Sequence, residues 1–365
     1  MSNCGSQEKI VITFDTDPQY YLKSLTYAGI IGLFVNSFGA YVILFRSPAH
    51  FKTYRWHLLN YQICSMGCDA VMTLCAAPVF FLPIPVCMPM GLFNAMGMNP
   101  GLQMIIYSTF IHLIFAATMQ MFFYKWQMIV PTGSMLKFSR RVKAIILSFT
   151  YFIFLTPHFI FLPATFENQA AKKVQLLADH PVYQEVWAGN VSKIDEKVII
   201  FYMNGDNSLA KYIIAETVLG SILGFTMSWF WMHTVYIFRQ KGKYSNATKQ
   251  LQYKKYLVNL SSQMTVPMMT MMYPGSLLGL VIIFQVWNVQ EIVQIAIFLF
   301  SCHGIVGTIS ILLMNEHYRN YLSERFFNTV SGEERTQAIS LNAVLQSSKK
   351  NSTRPSTAQP AIIMG

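Results

Sequence analysis

Residues 24–45 read SLTYAGIIGLFVNSFGAYVILF, with no Asp, Glu, Lys or Arg between Lys23 and Arg46. As an α-helix this stretch is about 33 Å long at 1.5 Å per residue, enough to cross the hydrocarbon core of a bilayer. Four further charge-free gaps run from Lys143 to Glu167, Glu216 to Arg239, Lys255 to Glu291 and Glu291 to Glu316. The interval from Arg55 to Lys125 holds only Asp69. It is long enough for two spans, and Pro83, Pro85, Pro89, Gly91, Gly97, Pro100 and Gly101 punctuate its middle. The gaps therefore predict seven spans, at roughly 21–45, 58–82, 101–123, 144–164, 212–238, 257–284 and 292–314.

Composition points the same way. Of 365 residues 12% are charged and 53% hydrophobic, with mean hydropathy +0.37. A soluble domain carries roughly 25% charged residues, and a disordered chain has fewer apolar and aromatic ones. The first twenty residues carry Glu8, Asp15 and Asp17, and the first apolar run is longer than a leader's, so it reads as a retained anchor. The net charge of +11 is distributed by topology. Twenty of the 27 Lys and Arg fall on one side of the predicted spans, in three loops and the carboxyl-terminal tail, with only four of the 16 acids. The positive-inside rule then puts the amino terminus outside and the carboxyl terminus in the cytosol. The basic surplus is accounted for by topology and anionic lipid, with no need for nucleic acid.

This topology divides the chain into an extracellular segment 1–20, a bundle 21–315, a juxtamembrane stretch 316–330 and a cytosolic tail 331–365. In the juxtamembrane stretch Tyr318, Tyr321, Leu322, Arg325 and Phe326 recur at three- and four-residue spacing, which predicts a short amphipathic helix. The tail is rich in Ser, Thr, Gln and Asn and reads as disordered. The longest connection, about 165–211, faces outside and offers Asn190-Val191-Ser192 as a glycosylation site. Cys64, Cys68, Cys75 and Cys302 fall in spans as small packing residues, and a Cys4–Cys87 bridge stays open.

Several short motifs resemble one family. Ser47-Pro48 followed by Tyr54-Arg55-Trp56-His57-Leu58-Leu59-Asn60 is similar to the TP…YKW.LLN stretch of the nematode serpentine chemoreceptors of class h, in the Str superfamily of G-protein-coupled receptors. Phe80-Phe81-Leu82-Pro83, Pro89-Met90-Gly91-Leu92 and Gly97-Met98-Asn99-Pro100 with Gln103 resemble that family's next motifs. So do Tyr253-Lys254-Lys255, His303-Gly304 with Thr308-Ile309, and Tyr318-Arg319. They occur in order over about residues 20–325. The resemblance implies a seven-helix receptor for an odorant-like or pheromone-like small molecule, acting on a heterotrimeric G protein in the cilia of sensory neurons. Two positions depart from the family. Phe123-Tyr124-Lys125 stands where it tends to carry Glu-Asn-Arg, and His317 replaces a Pro. Both are inner-face positions and bear on coupling. The bridge to the second outer loop common in rhodopsin-like receptors cannot form, because that loop has no cysteine.

Candidate functional residues follow. Asp69 in the second span is costly unless it faces the bundle or water. Asn36 and His303 are placed to share a hydrated cluster with it, an ion or water site by the resemblance or, on the plainer reading, a structural network that pins helices together. Glu216 and His112 are candidates for the ligand pocket in the outer half; their plainer readings are interfacial snorkelling and neutral packing. Lys125, Arg140, Arg141, Lys254 and Lys255 are candidates for contact with a G protein, or anchors on anionic lipid. Pro78, Pro157, Pro267 and Pro274 should kink their helices, Pro267 acting as hinge of the sixth span. The Met residues 264, 268, 269, 271 and 272 offer adaptable packing. No P-loop, HExxH spacing or local nucleophile signature occurs, so neither enzyme, cofactor nor metal is expected, and the oligomeric state stays open. A transporter or channel would show repeats or rings of charge, which this sequence lacks; a receptor homologue that no longer signals is the remaining alternative.

Overall fold

The computed structural model describes residues 14–47, 53–184, 186, 197–201, 207–242, 250–251, 254–258, 261, 265–266 and 268–326. The chain forms a seven-helix transmembrane bundle, Met1–Met314, followed by a second compact unit, Asn315–Gly365.

Helix α1, Gln19–Phe45, buries a stripe containing Leu25, Gly29, Gly32, Asn36, Gly39 and Ile43. Tyr27, Phe34 and Phe45 on its other side are exposed, as lipid-facing residues should be. The glycines let neighbours close in: a Cβ on Gly29 would strike Thr73 and Leu74, and one on Gly39 would strike Thr308.

Helix α2, Tyr54–Ala70, continues as a π-helical turn, Val71–Ala76. The second span was expected to reach residue 82 and to be kinked by Pro78; instead it stops at Ala77, which is left-handed with φ 41°. Pro78 opens strand β1, Pro78–Phe81, at a position where its missing N–H costs nothing. β1 pairs antiparallel with β2, Val86–Pro89, in register Pro78 with Pro89 and Phe81 with Val86. A third strand, β3, Ile199–Ile200, returns from the long connection and pairs with Val86 and Cys87. This three-stranded sheet was not expected in an all-α reading. All of β2 is buried.

Helix α3, Leu92–Ala95, is a single turn, and α4, Pro100–Ile129, is the third span. Asn99 caps α4 by accepting from the Leu102 N–H at 3.3 Å, and Pro100 fills its first turn. The helix runs past the expected end at residue 123, which carries Lys125 into the bundle. The fourth span, α5, is Arg140–Ala164, capped by Ser139 accepting from the Val142 N–H at 3.4 Å and carrying Pro157 and Pro163 inside it.

The long connection begins with an amphipathic helix, α6, Gln169–Asp179. Gln169 covers the free edge of β3, donating to the Ile200 carbonyl at 3.1 Å and accepting from the Ile200 N–H at 2.8 Å. The fifth span is α7, Ser208–Gly242. The sixth is helical where it is described, passes a π-helical turn at Met268–Met272, and ends as α8, Tyr273–Ile283. Pro274 lies in the first turn of α8, where proline is tolerated. Pro267 and Met264 lie outside the described residues.

The seventh span is two helices, α9, Gln290–Ser301, and α10, His303–Met314, bent by 40° at Cys302. Four helices are individually long and apolar enough to cross a membrane, and this bent pair makes a fifth. The second span is divided by its π-helical turn, and α2 carries a polar inner face with Gln62, Ser65 and Asp69 buried. In the second unit, α11, Glu316–Phe326, has Glu316 in its first turn and Arg325 in its last, the favourable order for a helix dipole. Residues 327–330 of the expected juxtamembrane stretch and the tail 331–365 lie outside the described residues.

Candidate functional site

The sheet end of the bundle is packed around β2. Beneath β2 the tops of the third, fourth and fifth spans pack Cys87, Met104, Leu162, Ile199, Phe201 and Leu209 into one apolar plug. Above it, the Tyr183 hydroxyl sits inside the β1–β2 turn, accepting from the Ile84 N–H at 3.0 Å and lying 3.1 Å from the Phe81 carbonyl. Phe14 packs on Tyr183 and Trp287 stands 6.1 Å from it, so aromatic rings join the amino-terminal segment to two loops. Cys87 is a free buried thiol 3.8 Å from the Met104 sulfur; Cys4 lies outside the described residues. Burial in this lid pushes the Tyr183 phenol and the Cys87 thiol above their ordinary ranges.

One helical turn below the plug lies a polar cluster. Ser108 follows Met104 on α4, His158 precedes Leu162 on α5, and Tyr212 and Glu216 follow Leu209 on α7. His112 Nε2 is 3.0 Å from both Glu216 oxygens. Its Nδ1 is 2.7 Å from the Ser108 carbonyl, which can only accept, so Nδ1 carries a hydrogen. On the other flank the Thr109 hydroxyl donates to the Ile105 carbonyl at 2.6 Å and therefore accepts from His158 Nε2 at 3.1 Å. That leaves His158 Nδ1 to accept from the Ser108 hydroxyl at 3.0 Å. The two imidazoles stack with centroids 4.8 Å apart, and the Tyr212 hydroxyl closes the group 3.3 Å from Ser108. His112 and His158 are 1% and 0% exposed, whereas the Glu216 side chain is 29% exposed, so the carboxylate is the open edge. The two pocket candidates from the sequence thus meet each other. His158, Ser108 and Tyr212 had not been singled out.

A second cluster ties the first, second and seventh spans. Asp69 accepts from Asn36 Nδ2 at 3.0 Å and from the Gly304 N–H at 3.0 Å. The bend at Cys302 exposes the first N–H groups of α10, and Asp69 caps them. Gln62 donates to Asn36 at 3.1 Å and to Thr308 at 2.6 Å, and Thr308 donates to Asn36 at 2.5 Å. His303 is adjacent in sequence but bonds elsewhere, to Tyr61 at 3.0 Å and Thr270 at 2.8 Å, which brings in the sixth span. Two buried oxygens, Gln62 Oε1 and Ser65 Oγ, have no hydrogen-bond partner among the described residues.

At the opposite, basic end the candidates separate. In this structure Lys125 is not presented to a partner: its side chain is buried and its amine lies 5.6 Å over the Tyr54 ring. It is buried because α4 extends six residues beyond the predicted end of the span. Arg140 and Arg141 are exposed in the first turn of α5, and Lys254 and Lys255 are exposed on the sixth span. Asn190 lies outside the described residues. Among the described residues no group of three or more His, Cys, Asp or Glu could hold a metal ion.

The bundle is thus a seven-helix fold with a small sheet across one end and basic residues at the other. The crystal structure of squid rhodopsin superposes on it with a TM-score of 0.54, covering 87% of each chain at 12% identity, a likeness of fold. Within that fold the sequence is specific: residues 16–328 match the profile of the serpentine type 7TM GPCR chemoreceptor Srh, and the chain belongs to this family. No curated protein matches it in sequence.

Proposed function

We propose that this receptor binds an odorant-like or pheromone-like small molecule in the half of the bundle beneath the sheet and activates a heterotrimeric G protein at the basic end. The observation that carries the reading is the His112–Glu216 pair, a hydrogen-bonded bridge between the third and fifth spans with its carboxylate edge open. A ligand that bonds to Glu216 competes with His112 and shifts the balance between two helix arrangements. The Asp69 cluster couples that shift to the broken seventh span, and its unpartnered oxygens leave room for water or an ion that rearranges with it. Arg140, Arg141, Lys254 and Lys255 meet the G protein. The sheet end faces outside, with Asn190 glycosylated, and the protein sits in the membrane of sensory cilia.

The test is nucleotide exchange on a heterotrimeric G protein in membranes holding the full chain, screened with volatile and lipophilic small molecules. A parallel variant carries Phe123→Glu, Tyr124→Asn and Lys125→Arg. Exchange in both supports a signalling receptor. Exchange only in the variant favours the alternative of a homologue that no longer signals and partners another receptor. Silence in both, with surface expression shown, sinks the proposal.

A further inference from the structure

An apolar groove of about 300 Å³ opens between α4, α5 and α7 in their basic-end halves. Its walls include Phe123, Trp126, Phe154, Trp229 and Phe230, and Leu136 and Phe138 form its lip. Ile222, which lines it, is 42% exposed, and Phe149, Phe152 and Phe225 on the flanking faces are exposed too, so the groove opens sideways onto the bilayer. Immediately past the lip, Arg140 and Arg141 start α5, exposed and without a hydrogen bond or ion pair among the described residues. No acid could claim them from nearby in the chain: none occurs between Asp69 and Glu167 or between Glu216 and Glu291.

We propose that this groove binds an anionic phospholipid, one acyl chain lying against the aromatic walls and the headgroup phosphate held by Arg140 and Arg141. A guanidinium matches a phosphate with two parallel hydrogen bonds, and the apolar cleft selects a tethered chain over a free anion. A cationic rim alone attracts anionic lipid loosely; a cleft beside it fixes one molecule in place. The groove stands apart from the His112 cluster; Arg140 and Arg141 are shared with the surface proposed for a G protein, but lipid binding is read by fluorescence with no G protein present, so it survives or fails independently of the proposed signalling.

The groove contains two tryptophans, which provide the readout. The full chain is placed in phosphatidylcholine nanodiscs containing a minor fraction of phosphatidylserine with brominated chains, or the same fraction of brominated phosphatidylcholine. Both leaflets carry the probe, so the orientation of the protein does not matter. Brominated phosphatidylserine should quench tryptophan fluorescence more strongly. The excess should fall to the phosphatidylcholine level in the double variant Arg140→Gln, Arg141→Gln, whose positions are exposed and whose fold is checked by its unchanged melting temperature. Thr226→Phe, which fills the groove, should remove it as well, and soluble glycerophosphoserine should not compete. Equal quenching by the two lipids overturns the proposal. An excess that survives either variant, or that the soluble headgroup displaces, overturns it too.

Discussion

Asp69 and Glu216 are the two acids inside the spans, and each is handled differently. Asp69 is buried and satisfied by a side-chain amide and a backbone N–H, so it works as the cap of a half-helix. Gly304 makes that approach possible, since a Cβ there would strike Asp69 and Ser65. Gly304→Ala should lower thermal stability by about 2 kcal/mol, the scale of an overpacked core; an unchanged melting temperature would refute the cap. Glu216 instead relies on His112. Removing either partner alone, as His112→Leu or Glu216→Leu, should cost about 1–3 kcal/mol through the group left unpaired. The double variant should lose less than the sum. A thermal-melting double-mutant cycle checks this, and strict additivity would show that the bond is not made. The sequence exposed Asp69 and Glu216 because charge is conspicuous in an apolar span. Gln62 and Thr308 were invisible to a reading built on charge, and His158 finds its partners fifty residues away on α4, beyond any local spacing.

At the scale of elements, the spans were readable because a bilayer demands long charge-free runs, whereas the lid was not. Strands four residues long with Pro78 and Pro89 at their ends hide the strand pattern, and the third strand is two residues brought back across a long connection. The lid nevertheless has its own chemistry. Tyr183→Phe removes the acceptor of the Ile84 N–H, so exchange of that amide should quicken about tenfold, measured by hydrogen–deuterium exchange. Its pH dependence has a definite sign. Burial raises the Tyr183 phenol above its ordinary value near 10, so the folded lid holds that proton more tightly than the open one. The contribution is complete below pH about 10 and declines as pH rises beyond it. Lid exchange should therefore accelerate on the alkaline side in the native chain and less so in Tyr183→Phe. Parallel curves would contradict the buried phenol.

Over the whole molecule, two of the polar clusters among the described residues form stations along the bundle axis. One joins the third, fourth and fifth spans under the lid, and the other joins the first, second, sixth and seventh at the bend of the last. The first bridges two spans through a partly exposed acid and the second sits at the bend of the seventh, so small changes in one bond bias how whole helices pack. The sequence conveyed the number of spans, the family motifs and the concentration of positive charge at one end, because each is a property of runs of residues. It could not convey Lys125's burial, which depends on how far α4 continues past its apolar stretch. The most direct measurement takes a small molecule that stimulates nucleotide exchange in the native receptor and titrates it against Glu216→Gln in the same membranes. The carboxylate edge as ligand contact predicts potency weakened roughly tenfold with the maximal exchange rate preserved. An identical concentration dependence in the two receptors would contradict it and move the ligand site elsewhere in the bundle.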